Sequence, residues 1–212
     1  MTNKQNIAII GAGVAGMAAA WDLARAGHAV TIYEAGERVG GLAAGFKDEA
    51  WDWELEKFYH HWFEGDDDML GLIEEIGQRD KVIFKRPKTS FWIDGEMVRS
   101  EIEPISVLRL PMSLRGKLQF IAGGAFLKLT PYWKILESYT ADEWMRHYMG
   151  EEGYERYFRT LLVGKFGRYY DQVNMAWMWA RVKARSLKLG TYEGGFQSFL
   201  DTLAHAIREQ GV

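Results

Sequence analysis

Cysteine is absent from the 212 residues. That removes disulfides, thiolate metal sites, thiol nucleophiles and redox dithiols together, and it agrees with a reducing, cytoplasmic setting. An excess of positive charge is absent too. Lys and Arg number 26 against 29 Asp and Glu, giving a net charge of −3 and a pI of about 6.0. Without a basic field, nucleic acid is not expected as a partner. No apolar run approaches the roughly 18–20 residues that span a bilayer. The N-terminal MTNKQNIAIIGAG is short and glycine-broken, so it reads as a buried strand and not as a secretory signal. What the chain does have is aromatic residues, at 14%, including nine Trp and ten Tyr. Such a supply points to a large apolar pocket, a protein interface or a membrane-facing surface. The 48% hydrophobic and 26% charged content is that of a globular protein with one large domain or two small ones.

Along the chain, residues 5–10 (QNIAII) predict a short strand. The Ala/Leu-rich run from Val14 to Ala26 predicts a helix closed by Gly27, and Ala29 to Tyr33 predicts a second strand. Together they form a βαβ unit with parallel strands. Residues 36–50 read as a glycine-rich loop. Residues 66–77 read as a helix with an Asp66 cap and a terminal glycine. From Asp80 onward, VIFKRPKTSFWIDGEMVRS predicts a β-hairpin turning at Asp94-Gly95. Residues 105–129 are helical in period. Residues 139–149 open on Thr140 with Glu143 three positions on, a capping-box pattern. Residues 151–185 continue as helix, 196–209 form a last helix, and Gly211-Val212 look like the start of another strand.

The chemistry sits in GAGVAG. Glycines at 11, 13 and 16 give the G-x-G-x-x-G spacing. Gly11 allows the tight turn off the strand, Gly13 lets a pyrophosphate approach the backbone, and Gly16 lets helix and strand pack closely. Val14 and Ala15 then lie in the first helical turn, whose free N–H groups and partial positive charge suit phosphate. Glu34, 18 positions past Gly16, is placed to accept from an adenosine ribose, with Ala35 beside it. A carboxylate there disfavours a 2′-phosphate. Next come Arg38, able to neutralise phosphate, and Gly40-Gly41-Leu42, where two glycines let the backbone pass close to a bulky ligand.

The stretch E-A-G-E-R-V-G-G-L resembles the E-x-x-x-R-x-G-G segment of the FAD-dependent amine oxidase superfamily, which includes protoporphyrinogen oxidase-like and phytoene desaturase-like flavoproteins. The resemblance is specific over residues 5–45. It continues more weakly through KFG (165–167), AWMWARV (176–182) and YEGGFQSF (192–199), where Gly194 and Gly195 match a family loop leading back to the FAD-binding domain. It implies an α/β fold: a Rossmann-like FAD-binding βαβ domain with a largely helical substrate-domain insertion. The expected division is FAD-binding over 1–78, substrate-binding insertion over 79–189, and return to the FAD-binding domain over 190–212. Family members are about twice this length, so the chain resembles an N-terminal half. The implied function is oxidation or desaturation of a small organic substrate, apolar ones included, by hydride transfer to FAD. A non-catalytic dinucleotide-binding module, or half of a split flavoprotein, is a second reading. An NAD-dependent enzyme sharing only the βαβ unit is a third.

EKFYHHWFEGDDD (56–68) lies where the family often carries a D-x-G-x-H-like pattern beside the flavin. Glu56 and His60 match it and Phe58 departs from it. Tyr59 and His60 are therefore expected on the flavin side. On an extended chain His60 and His61 point to opposite faces, so no metal site is expected. Arg159, Lys165, Arg168, Tyr169 and Tyr170 suit either an anionic substrate or, preferably, a helix surface. Residues 105–135, with Tyr132 and Trp133, suit either a membrane-surface segment or, preferably, a buried helix pair. A flavin can take a hydride directly, so no catalytic acid or base is assigned.

Overall fold

The computed structural model describes residues 4–93, 95–101 and 104–212. They form two units, Met1–Lys85 with Lys188–Val212, and Arg86–Leu187. The first unit opens on strand β1 (Asn6–Ile10), helix α1 (Val14–Arg25) and strand β2 (Ala29–Tyr33). β1 and β2 pair in parallel, from Asn6 opposite Ala29 to Ile10 opposite Tyr33. A twelve-residue helix of mostly alanine and other good helix formers makes this crossover short. Gly27, at φ +92°, reverses the chain into β2. The loop that follows is broken only by a 3₁₀ turn (Gly41–Ala43) and by the pair β3 (Gly45–Phe46) and β4 (Leu55–Glu56).

Helix α2 (Asp67–Glu75) is tied to α1 by Trp21, whose indole N–H donates to Glu75 at 2.9 Å, and by the Arg25–Glu75 ion pair. Asp66 occupies the cap position, but its carboxylate accepts from the Phe63 N–H behind it at 2.8 Å and makes no cap bond. It fixes the approach to the helix instead of its first turn. Strand β5 (Val82–Lys85) follows.

The second unit starts with a hairpin of β6 (Lys88–Ile93) and β7 (Glu96–Glu101). The closing pair, Ile93 opposite Glu96, leaves two residues for the turn. Asp94, expected in that turn, lies outside the described residues. A 3₁₀ turn (Pro104–Arg109) and helix α3 (Leu114–Leu129) take the place of one continuous helix. Pro111 separates them, and Ser113 caps α3 by accepting from Gly116 N–H at 3.1 Å. Then come α4 (Ala141–Tyr148), a single turn α5 (Glu151–Gly153) running into a π-helical turn (Tyr154–Phe158), α6 (Arg159–Phe166) and α7 (Met175–Ala184). The capping box on α4 forms, with Thr140 Oγ1 accepting from Glu143 N–H and the Glu143 carboxylate accepting from Thr140 N–H.

The core of this unit is Leu127, Trp144, Met145, Met149, Tyr154, Leu162, Met175 and their neighbours. The apolar residues of α3 are spread around the helix, between Arg115, Lys117, Gln119 and Lys128; it buries Gly116, Gly123 and Leu127, but Leu114, Leu118 and Leu129 are 60–76% exposed. The expected buried helix pair is thus buried on one side only.

The chain returns to the first unit through β8 (Leu189–Tyr192) and α8 (Phe196–Glu209). β8 pairs antiparallel with β5, Val82 opposite Tyr192 to Lys85 opposite Leu189. Val82–Lys85 therefore does not belong to the hairpin, and the two compact units divide at 85/86 and 187/188. Helix α8 fills the centre of the unit. Phe196, Phe199, Leu200, Leu203 and Ile207 are almost wholly buried against Met17, Trp21, Trp62 and Ile73. Gly211 and Val212 do not start a strand. Gly211 takes φ +89°, and the Val212 N–H approaches the Ile207 carbonyl at 3.5 Å, closing α8.

Candidate cofactor site

The loop from β1 to α1 is shaped for a close-lying ligand. Gly11, at φ +96°, donates its N–H to the Tyr33 carbonyl at 2.8 Å and turns the chain off the strand. A Cβ on Gly16 would sit 2.1 Å from the Gly11 carbonyl oxygen, so the helix start and the strand end touch only because the side chain is missing. A Cβ on Gly13 would meet nothing within 4 Å. Gly13 is thus a bare backbone facing open space at the N-terminus of α1. That helix has no side-chain cap and no acidic residue in its first turn. A diphosphate could use the first-turn N–H groups, which lack intrahelical partners. Val14 is half-buried on the core and Ala15 is exposed.

Glu34 stands just beyond the end of β2. Its Oε1 accepts from Gly36 N–H and its Oε2 from Ala12 N–H, both at 2.7 Å. Those backbone bonds, Gly36 first and then Ala12, hold its pKa below the ordinary carboxylate value. The carboxylate is therefore charged and aimed before any ligand arrives. A cleft of about 210 Å³ opens beside it, lined by Ala12, Thr31, Glu34, Val39 and Arg208 among others. Ala35 is exposed next to it.

The second glycine pair comes to the same place. Gly40, at φ +124°, forms a parallel bridge with Gly13 and donates its N–H to the Ala12 carbonyl at 2.8 Å. A Cβ on Gly41 would lie 3.3 Å from Gly13 Cα. Leu42 is 73% exposed. Gly11, Gly13, Gly16, Glu34, Gly40 and Gly41 thus form one cradle from two loops separated in sequence.

Arg38 has other partners. Nη1 and Nη2 bind the two carboxylate oxygens of Glu54 at 3.0 and 3.2 Å, and Nη2 also reaches Asp201 at 3.1 Å. Both carboxylates, Glu54 the more, raise its already high pKa. Sequence reasoning did not find Glu54, Asp201 or Gln197, which close this cluster. Gln197 and Asp201 lie i,i+4 on α8 directly after Gly194-Gly195. Helix α8 is amphipathic, and Gln197 falls on its apolar face with Leu200 and Ala204 at i+3 and i+7, which was the available signal.

Beyond β4, side chains of residues 59–63 alternate although these residues form no strand. Tyr59, His61 and Phe63 follow one another ring to ring, at 5.1 and 5.0 Å. His60 and Trp62 turn toward Phe196, at 6.0 and 4.6 Å. His60 Nδ1 lies 2.6 Å from the Phe58 carbonyl and donates to it, because a carbonyl only accepts. Tyr59 is 77% exposed. The cationic residues of 159–170 do not converge on one point. Arg159 lies over Tyr170, Lys165 over Trp177 and Arg168 over Tyr169.

The model of the family described as flavin-containing amine oxidoreductase matches residues 14–212. The chain belongs to this family of oxidoreductases, and the cofactor of the family is FAD. It is 29% identical over 155 residues to a 15-cis-phytoene desaturase of Synechococcus elongatus, covering 66% of this chain and 32% of the relative. Over 52 residues it is 46% identical to an L-amino-acid oxidase of Bungarus fasciatus, covering 24% of this chain and 10% of the relative. Among solved structures, cyclohexylamine oxidase from Brevibacterium oxydans matches with a TM-score of 0.68 at 20% identity, over 98% of this chain and 50% of that one. At that identity the likeness is one of fold: the amine oxidase fold, mixed helix and strand. The chain spans a third or less of the length of these curated relatives and half of that structure. Among the described residues no helix is long and apolar enough to cross a membrane.

Proposed function

We propose that this chain supplies the nucleotide-binding part of an FAD-dependent oxidoreductase, with β1–α1–β2 as the opening of a Rossmann-like fold. The observation that carries this reading is the open cradle at Gly13 beside a pre-aimed Glu34 carboxylate. In this reading Gly11, Gly13, Val14, Ala15 and Gly16 receive the diphosphate on backbone N–H groups. Glu34, with Ala35, holds the adenosine ribose, and its charge turns away a 2′-phosphate. Gly40, Gly41 and Leu42 pass along the cofactor, and Tyr59 and His60 form part of the wall on the flavin side. The residues fit the group because the cradle is open where a backbone-hugging anion would lie and anionic where a ribose hydroxyl would donate.

FAD, when bound, supplies the hydride acceptor for oxidation or desaturation of a small organic substrate. The chain's own share is to bind and orient that acceptor. The span of about half a family fold also favours a narrower reading, in which these residues bind FAD but turnover needs further protein.

Titrating the purified chain with FAD, followed by flavin fluorescence, tests the reading. Saturable binding that NAD does not displace supports it. Glu34→Gln should weaken binding about tenfold. A chain that takes up no FAD, or binds NAD more tightly, ends it.

A further inference from the structure

Gln197 is 1% exposed, and both polar atoms of its amide are bonded. Oε1 accepts from Gly45 N–H at 2.9 Å, while Nε2 donates to the Val39 carbonyl at 3.2 Å and to Asp201 at 2.7 Å. One side chain of α8 thus grips both ends of the Val39–Gly45 loop, some 150 residues earlier in the chain. Between those ends lie Gly40, whose missing Cβ would be 2.7 Å from Leu200 on α8, and Gly41, facing Gly13. The loop is therefore pressed between α8 and the βαβ turn.

Arg38 closes the same arrangement. It binds Glu54 through two nitrogens and shares Asp201 with Gln197. One guanidinium here faces two carboxylates, so the cluster as a whole repels an anion. To hold a phosphate, Arg38 would have to leave partners that match its fork geometry. Gly195 fits the same design: a Cβ there would stand 2.3 Å from the Glu54 carbonyl oxygen, so the start of α8 is seated directly on the segment carrying Glu54.

We propose that Arg38 is a positioning residue and not a phosphate ligand. With Gln197, and through Glu54 and Asp201, it holds the Val39–Gly45 loop in the shape that receives the cofactor diphosphate. This rests on the FAD reading above. The two roles predict opposite signs for one variant. If Arg38 binds phosphate, Glu54→Gln removes a competing charge and tightens FAD. If Arg38 positions the loop, Glu54→Gln loosens it and weakens FAD.

The experiment uses the whole chain, as wild type, Arg38→Lys and Glu54→Gln. FAD affinity is measured by fluorescence titration, and amide hydrogen exchange across 39–45 is measured without FAD. Lysine keeps the charge but loses the fork. The expected result is that both variants bind FAD about tenfold more weakly and exchange the loop amides about tenfold faster. Unchanged loop exchange, or an unchanged or tighter FAD affinity in Glu54→Gln, overturns the proposal. If the wild type takes up no FAD, the functional reading fails. The exchange data still decide whether Arg38 holds the loop.

Discussion

Each unit contains an arginine surrounded by carboxylates, and the two clusters differ in where they sit. In the second unit Arg146 binds Asp142 at 3.2 Å and Glu155 at 2.7 Å, pairs with Glu151, and lies 4.3 Å over the Tyr154 ring. Asp142 in turn accepts from the Tyr154 hydroxyl, and Tyr154 is wholly buried in the helical core. In the first unit Arg38 is 46% exposed and Asp201 is 53% exposed, at the rim of a loop. The same chemistry therefore does two jobs. Around Arg146 it satisfies a buried phenol and holds α4 to the π-helical turn. Around Arg38 it sets the course of a surface loop while adding little to global stability.

The sharpest way to break this comparison is to remove the two aspartates. Asp142→Ala strips the buried Tyr154 hydroxyl of its acceptor and Arg146 of a partner. That should cost about 2–4 kcal/mol, measured by thermal or urea unfolding. Tyr154→Phe removes the hydroxyl together with its need and should cost only about 1 kcal/mol. It also carries a pH signature. Burial, followed by donation to Asp142, raises the Tyr154 pKa above the ordinary phenol value of about 10. A raised folded-state pKa gives stability that is complete below the unfolded value and lost as pH climbs through the folded one. The wild type should therefore lose stability on going above about pH 10, and Tyr154→Phe should lose less. Tyr192, raised mainly by burial, titrates in both and sets the baseline. Parallel alkaline curves for the two proteins would mean that the Tyr154–Asp142 bond contributes nothing.

The parts of the fold legible in the sequence are those whose causes are local. The βαβ unit follows from glycine spacing, an alanine-rich helix and two short apolar runs. The Thr140–Glu143 box needs only four residues. What stayed hidden depends on distant partners. Val82–Lys85 has the same β-rich composition as the hairpin after it, and only pairing with Leu189–Tyr192, over a hundred residues on, removes it. Pro111 was visible, but the apolar period ran through it. At the site, the glycines and Glu34 were legible because backbone geometry demands them. Arg38 drew attention as a cation near phosphate, yet its charge is committed to Glu54 and Asp201, and no local pattern names those partners. Gln197 stayed hidden because one glutamine in an amphipathic helix becomes informative only once its burial and its three bonds are known.

The smallest effect offers the most discriminating comparison. Asp201→Asn keeps an acceptor for Gln197 and removes one charge from a half-exposed ion pair. Pairs of that exposure are worth about 0–1 kcal/mol, so the melting curve should shift by no more than that. Asp142→Asn, at a site whose side chain is 18% exposed, should shift it by more. The reason is the medium. Around Arg38, water replaces a lost bond at once, and only the local order of residues 39–45 suffers. Tyr154 is wholly buried, so an unmet hydroxyl there is costly and the loss falls on the whole unit. Equal shifts for the two asparagine variants would mean that the Arg38 cluster supports its unit as much as the Arg146 cluster does, and the contrast between a loop-setting and a core-holding arginine would fail.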